Sequence, residues 1–286
     1  MLAIVGTIPD TGFPVISGKV HLKNDRITIK DQSAPINRGT PALLAAAIKC
    51  GEVLGLESPI GFLVGDIGLG DGSRLLYDYL SKKLKDFNLQ VLCFHYLQPD
   101  VDWQFKVLDA IEKMKRRPFL IADAGYMYAA KMSGLSQEYD LFTPDVGELA
   151  FLADEEAPHP FYTRGFILHE AQKVLELIKR AYEHQNAAVH LLIKGKKDYI
   201  VKDGITFNTV SNPSIENMEA IGGTGDTLTG IVSALISSGM GPKQASVIAA
   251  KTNRLAGYYT QPNPASQIID IISNIPQALT EVLKSM

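Results

Sequence analysis

Gly222-Gly223-Thr224-Gly225-Asp226-Thr227-Leu228-Thr229-Gly230 places four glycines, three threonines and one carboxylate at the start of an apolar, helix-like run. Glycine allows positive φ and close approach of the backbone to a ligand. The first amides of a helix have no intrahelical partner, so they face outward and attract an anion. This stretch therefore predicts an anion-binding loop at a helix N-terminus.

Asp226 is the unusual member of this loop, because a carboxylate beside a bound anion is repelled unless it exchanges a proton or binds a cation. The other interpretation is that Asp226 is only the N-cap of the helix, a role worth about 1 kcal/mol. The chain has no GxxxxGK[ST] sequence, so the loop is not a P-loop.

The composition is that of a globular protein: of 286 residues, 46% are hydrophobic and 21% charged, with a net charge of −3. We expect a single domain over residues 1–286, no nucleic-acid partner and a cytoplasmic location. No apolar run reaches the roughly 18 residues of a membrane span, so no membrane partner is expected. Cys50 and Cys93 stand in apolar contexts and are predicted to be buried, free thiols.

Strand-like and helix-like segments alternate through most of the chain, which predicts an α/β fold with a mostly parallel sheet and helices on both faces. Ligands bind at the carboxyl ends of the strands in such sheets. Polar residues stand at those ends: Asp123 follows one strand, Asp145 and Glu148 a second, and Lys194-Gly195 a third. A glycine-rich loop over residues 65–72 follows another strand, although such loops are common in α/β folds.

Each of these polar residues also has an ordinary structural interpretation. Asp145 and Glu148 would be solvated acids in the first turn of a helix, where negative charge is favourable. Lys194 would be a surface charge, and Asp123 a polar cap on a strand end. These alternatives stay open at the level of sequence.

Residues 18–31 alternate polar and apolar side chains around Asn24-Asp25, which predicts a hairpin outside the parallel core. This hairpin would be a lid, an oligomer edge or a surface decoration.

Several local assignments complete the expectation from sequence. Thr40 is predicted as an N-cap with Pro41 following it. A longer helix is predicted over residues 169–184, and the last helix over residues 276–284. Asn253 and Arg254 are expected on a solvated helix face, and none of the six histidines has metal-ligand spacing.

Residues 220–240 resemble the signature of the ribokinase-like superfamily, whose members bind a nucleotide phosphate on a G-x-G-D loop. The nearest resemblance is to the ADP/ATP-dependent NAD(P)H-hydrate dehydratases, the carbohydrate-kinase-like C-terminal domain of YjeF-type proteins. The resemblance spans roughly residues 39–285, and the matching segments are Gly68-Leu69-Gly70, Ile121-Ala122-Asp123-Ala124, Thr143-Pro144-Asp145-Val146-Gly147-Glu148, Leu192-Ile193-Lys194-Gly195 and the helix entry at 265–270. The chain departs from the family at Asp145, where the family has His, and in its N-terminal hairpin.

The resemblance implies a three-layer α/β/α sandwich, an ADP or ATP co-substrate, Mg²⁺ and a homo-oligomer, either a dimer or a tetramer. It implies that Asp226 is the base that takes a proton from an acceptor hydroxyl during phosphoryl transfer. The implied nucleotide-binding residues are Gly223, Thr224, Gly225, Lys194 and Gly195. The implied substrate or metal side is formed by Asp123, Asp145, Glu148, Gly68 and Gly70, with Glu148 holding Mg²⁺ directly or through water.

The implied activity is dehydration of hydrated NADH or NADPH. A small-molecule kinase acting on a vitamin precursor or a sugar hydroxyl is the alternative that keeps the same site. A non-catalytic nucleotide-binding protein is the third possibility. The charge of Asp226 argues against it, because a site that only binds phosphate would bind it more tightly without a carboxylate nearby.

Overall fold

One continuous sheet organises the described part of this computed structural model, which covers residues 1–154, 171–263 and 265–285. Its spatial strand order is β11-β10-β9-β8-β7-β6-β1-β5-β2-β3-β4. The strands are β1 Leu2–Ile8, β2 Ile16–Lys23, β3 Arg26–Ile29, β4 Gln32–Pro35, β5 Ile60–Gly65, β6 Val91–Phe94, β7 Phe119–Ala122, β8 Leu141–Phe142, β9 His190–Ile193, β10 Asp198–Lys202 and β11 Ile205–Val210.

The strands from β5 through β1, β6, β7 and β8 to β9 are parallel to their neighbours, whereas the strands at both ends of the sheet are antiparallel. Parallel neighbours end at the same edge of the sheet, so the residues that follow β6, β7, β8 and β9 are brought together. The mostly parallel sheet predicted from sequence is confirmed.

Helices cover both faces of the sheet, and a cluster of buried apolar side chains lies between the sheet and the helices on each face. The helices are α1 Thr40–Leu54, α2 Asp71–Lys83, α3 Val101–Glu112, α4 Gly125–Met132, α5 Val146–Ala153, α6 Ala171–Glu183, α7 Thr224–Ser237, α8 Pro242–Thr260 and α9 Ile268–Lys284. Helices α1, α7, α8 and α9 pack on one face, and α2 to α6 on the other. Side chains alternate between the two clusters along each strand, with Ile4 and Cys93 in the first and Val5 and Phe94 in the second.

The α/β/α sandwich is therefore confirmed, and Cys50 and Cys93 are free and buried as predicted. Among the described residues, no helix is both long enough and apolar enough to cross a membrane.

The predicted hairpin at 18–31 is present as β2 and β3, and it lies outside the parallel strands as expected. It is joined to them, however, because β2 pairs antiparallel with β5, Ile16 opposite Leu63. The additional strand β4 pairs with β3 and is the outermost strand on that side of the sheet. The hairpin is thus an extension of the central sheet.

Two helix starts differ from the sequence predictions. Gly39 is the N-cap of α1 with a φ of 69°, and Thr40 is the first helical residue. The Thr40 hydroxyl does not cap the helix, because it is hydrogen-bonded to His95 instead. The last helix begins at Ile268, eight residues before Pro276. Buried contacts of Ile271, Ile275 and other apolar residues outweigh the cost of about 3 kcal/mol for an internal proline. The helix predicted from residue 169 is described from Ala171, and residues 169 and 170 lie outside the described ranges.

Helices α1 and α7 approach closely at Gly230, where an added Cβ would lie 2.3 Å from the carbonyl oxygen of Leu43. We expect Gly230→Ala to lower the free energy of unfolding by about 1–3 kcal/mol, because the backbones must separate. Gly51→Ala on α1 is the matched control, since its Cβ would meet Leu56 at an ordinary 3.6 Å. Denaturant unfolding checks this expectation, and equal stability of the two variants would contradict the close contact.

Candidate active site

Two adjoining cavities open where the parallel strands end. The α1 cavity, of about 660 Å³, is lined by Arg38, Gly39 and Thr40 at the start of α1 and by the loop after β5. The glycine-loop cavity, of about 440 Å³, is lined by residues of the 223–226 turn. Both cavities share the residues Tyr96, Ala124, Asp145 and Glu148. The site therefore has two compartments that meet at these shared residues.

The glycine loop forms the start of α7. Gly223 is the N-cap with a φ of 104°, and an added Cβ would lie 2.9 Å from Ile268. No side chain of the described residues caps this helix, so its first amides are available to an anion. The predicted anion-binding residues Gly223, Thr224 and Gly225 all line the glycine-loop cavity.

Asp226 is the third residue of α7 and not its N-cap, so the capping interpretation is wrong. Its Oδ2 accepts a hydrogen bond from the Gly39 amide at 2.6 Å, and its Oδ1 lies 3.0 Å from Nε2 of His95. The side chain is 13% exposed and lies against the N-terminus of α1, where the helix dipole favours negative charge.

The pKa of Asp226 reflects opposing effects. Burial raises it, but the hydrogen bond with His95, the nearby charge of Lys194 and the Gly39 amide outweigh burial, so the pKa lies below its ordinary value. Asp226 is thus an ionised carboxylate at neutral pH, with each oxygen held by one donor.

Lys194 and Asp123 form a buried ion pair between the ends of β9 and β7. Nζ of Lys194 lies 2.8 Å from Oδ1 of Asp123, and the hydroxyl of Thr229 donates to the other carboxylate oxygen at 2.6 Å. Asp123 is 2% exposed and Lys194 is 13% exposed, so the surface-charge interpretation of Lys194 is wrong. Burial lowers the pKa of Lys194, but the charges of Asp123 and Glu148 outweigh it and raise that pKa.

Asp145 and Glu148 form a capping box at the start of α5: the Glu148 amide donates to Asp145 Oδ1 at 2.7 Å, and the Asp145 amide donates to Glu148 Oε2 at 2.8 Å. Both acids therefore stand at the start of a helix, as the ordinary interpretation holds, but Glu148 is only partly exposed, and both acids line the two cavities. Burial raises the pKa of Glu148 to about 8; the Asp145 and Asp123 charges add to this rise, and Lys194 opposes it.

A divalent cation would relieve the crowding of these carboxylates. Carboxylate oxygens are the ligands that Mg²⁺ prefers, so Asp145 and Glu148 fit such an ion.

The remaining predicted glycines have supporting positions. The amide of Gly195 donates to Asp198, and its carbonyl accepts from Arg254. Gly68 lines the α1 cavity, while Gly70 is the N-cap of α2 and donates its amide to Asp66.

Asn253 and Arg254 were expected on a solvated face, and that expectation is wrong: they are 7% and 8% exposed. Arg254 forms an ion pair with Asp198 at 2.7 Å and donates to the carbonyls of Gly195 and Lys196. Asn253 donates to the carbonyl of Thr224 at 3.0 Å. Arg254 therefore holds the loop after β9, and Asn253 holds the start of α7, and both of these segments line the glycine-loop cavity.

Sequence analysis missed His95, which is fully buried and contacts Asp226. A signal was present, since His95 directly follows β6 in the way that Asp123 follows β7. Tyr96 was also missed. It has a φ of 36°, packs its ring against His95 and lines both cavities.

Comparison with known proteins gives a family. The sequence model of the NAD(P)H-hydrate dehydratases matches residues 98–277. That range contains Asp123, Asp145, Glu148, Lys194 and the glycine loop, while Gly68 and Gly70 lie before it. An uncharacterized protein of Methanocaldococcus jannaschii is 40% identical over 243 residues, which cover 85% of this chain and 100% of that protein.

A second relative, the ADP-dependent (S)-NAD(P)H-hydrate dehydratase of Cenarchaeum symbiosum, is 29% identical over 139 residues, which cover 49% of this chain and 43% of that enzyme. A solved ribokinase-like superfamily protein of Enterococcus faecalis has a TM-score of 0.56 at 16% identity, covering 98% of this chain and 87% of its own. The structural likeness confirms the ribokinase-like fold. The sequence match over more than half of the chain shows that it belongs to the NAD(P)H-hydrate dehydratase family.

Proposed function

We propose that this protein dehydrates hydrated NADH or NADPH with ADP or ATP as the phosphoryl donor. The observation that carries the proposal is the position of Asp226, whose ionised carboxylate lies beside uncapped helix amides and against the N-terminus of α1. An anion site and a proton acceptor thus stand side by side in the glycine-loop cavity, which is what phosphoryl transfer to a hydroxyl needs.

The first step is transfer of the terminal phosphoryl group to the hydroxyl of the hydrate. Asp226 takes the hydroxyl proton, the hydroxyl oxygen bonds to phosphorus, and the phosphoanhydride bond breaks with its electron pair staying on the departing nucleotide. The first amides of α7 stabilise the negative charge on the phosphoryl oxygens.

The second step restores the reduced nicotinamide ring. A hydrate carries water added across a carbon–carbon double bond, so the carbon–oxygen bond to the new phosphate breaks and the adjacent carbon loses a proton. The electron pair of that carbon–hydrogen bond re-forms the double bond, and inorganic phosphate leaves.

The other polar residues have roles in binding. Lys194 lies next to Gly225 and would neutralise phosphate charge while Asp123 holds its ammonium in place. Asp145 and Glu148 would hold Mg²⁺, which, when bound, supplies positive charge for the phosphates. Two facts support the proposal: the family match, and a relative that is itself named as an ADP-dependent hydrate dehydratase.

The test is to mix the purified protein with hydrated NADH or NADPH and either ADP or ATP, and to follow the absorbance of the reduced nicotinamide. We expect recovery with at least one nucleotide. No recovery with either nucleotide would remove the dehydratase proposal. Nucleotide turnover with a vitamin precursor or a sugar, and a stable phosphorylated product, would instead identify a small-molecule kinase.

A further inference from the structure

We propose that His95 is a positioning residue that holds the Asp226 carboxylate in place for proton uptake, and that Thr40 fixes the orientation and tautomer of the His95 ring. This inference rests on the proposed function, because it concerns the base of that reaction. His95 is fully buried, so it acts through Asp226 and does not contact the substrate.

The hydrogen bonds define the protonation of the ring. Nε2 of His95 lies 3.0 Å from Oδ1 of Asp226, and Nδ1 lies 3.0 Å from the hydroxyl of Thr40. An ionised carboxylate only accepts hydrogen bonds, so Nε2 carries the proton. In the neutral ring Nδ1 is then an acceptor, and the Thr40 hydroxyl donates to it.

Asp226 is thereby held on both sides. His95 donates to Oδ1 and the Gly39 amide donates to Oδ2. A carboxylate offers about four lone-pair sites, so two remain for an acceptor hydroxyl after these bonds. The carboxylate cannot rotate without losing a hydrogen bond, which aligns it before the substrate arrives.

The surroundings favour positioning over a proton relay. Thr40 is buried, and its hydroxyl faces β1, since a Cβ on Gly6 would lie 2.3 Å from it. Thr40 also lines the α1 cavity, but its hydroxyl is already bonded to Nδ1 of His95, whereas Asp226 lines the glycine-loop cavity itself, so a proton on Asp226 leaves directly through that cavity. Asp123, at 4.0 Å from Nε2, is already paired with Lys194. The Nε2 proton of His95 is therefore directed to Asp226.

The charge of Asp226 depends on its hydrogen bond with His95. In the described part of the chain, the titratable or charged groups near it include His95 and Tyr96 after β6, Asp123 after β7, Glu148 on α5, Lys194 after β9 and Arg38 before α1. The hydrogen bond from His95 lowers the pKa of Asp226. Without it that pKa rises, and less of the base is ionised at a given pH.

The first test is the pH profile of kcat/KM for recovery of reduced nicotinamide. In His95→Phe we expect the acid limb to move to higher pH, because the His95 hydrogen bond no longer lowers the pKa of Asp226. We expect kcat to fall about 10–100-fold, as for the loss of a hydrogen bond to a charged group. The KM for the nucleotide should change much less than kcat. His95→Gln, whose amide can still donate, should recover part of both effects, and His21→Gln, exposed on β2, should match the wild type.

An unshifted acid limb in folded His95→Phe would overturn the proposal, and the NMR measurement below decides it if the Phe variant does not fold. The second test needs no turnover: nitrogen NMR of the isotope-labelled imidazole should show Nε2 protonated and Nδ1 bare. A ring protonated at Nδ1 alone would overturn the arrangement. A wild type without turnover would refute the proposed function, and the NMR result would still decide the contact between His95 and Asp226.

Discussion

Replacing Asp226 by asparagine is expected to lower kcat about 10²–10⁴-fold, the usual contribution of a general base. The variant should fold, because the asparagine oxygen can accept from the Gly39 amide while its NH₂ group donates to His95 in the other tautomer. Nucleotide affinity should be equal or tighter, because a negative charge beside the phosphates has been removed.

Recovery of reduced nicotinamide gives kcat, and calorimetric titration gives nucleotide affinity. Asp109→Asn, on the exposed face of α3, is the matched control and should behave as the wild type. A purely nucleotide-binding protein would keep its full biological activity in Asp226→Asn or Asp226→Ala. That result, with folding preserved, would remove Asp226 from the chemistry.

The conformation of the glycine loop was predictable because its signal is local. Glycines at a helix start determine the backbone, and Gly223 does have the positive φ that glycine favours. The meeting of Asp123 and Lys194 was predictable in outline, since polar residues at the ends of parallel strands share one edge of the sheet. The strand order β7-β8-β9 brings these two side chains together although 71 positions separate them.

The partners of Asp226 were not predictable from the sequence. Its carboxylate was consistent with an N-cap. Only the packing of α1 against α7 places the Gly39 amide on one oxygen, and only the position of α7 beside the end of β6 places His95 on the other. Arg254 is a similar case. Its position in the helical pattern suggested a solvated face, whereas a buried carboxylate, Asp198, compensates its charge.

The edge of the sheet was only partly predictable. Alternation of side chains identified the hairpin of β2 and β3, but pairing between strands depends on which edge is free. β5 presents that edge, so the hairpin extends the sheet. Sequence periodicity alone has no information on this choice.

Replacing Lys194 by methionine is expected to lower the free energy of unfolding by about 3–5 kcal/mol, because Asp123 would remain buried without its cation. The Thr229 hydroxyl and the Ala124 amide still donate to Asp123, but neither supplies a positive charge. Nucleotide affinity should fall as well, since Lys194 is the buried cation next to Gly225. Lys113→Met, an exposed change at the C-cap of α3, should cost no more than about 1 kcal/mol.

The two effects of Lys194 separate in the double variant Lys194→Met with Asp123→Asn. No uncompensated charge then remains in the pair, so denaturant unfolding should show most of the lost stability recovered. Calorimetric titration should still show weak nucleotide binding, because the positive charge beside the glycine loop is absent. Recovery of both stability and affinity in the double variant would mean that Lys194 serves only to neutralise Asp123, and the phosphate-binding role would then be withdrawn.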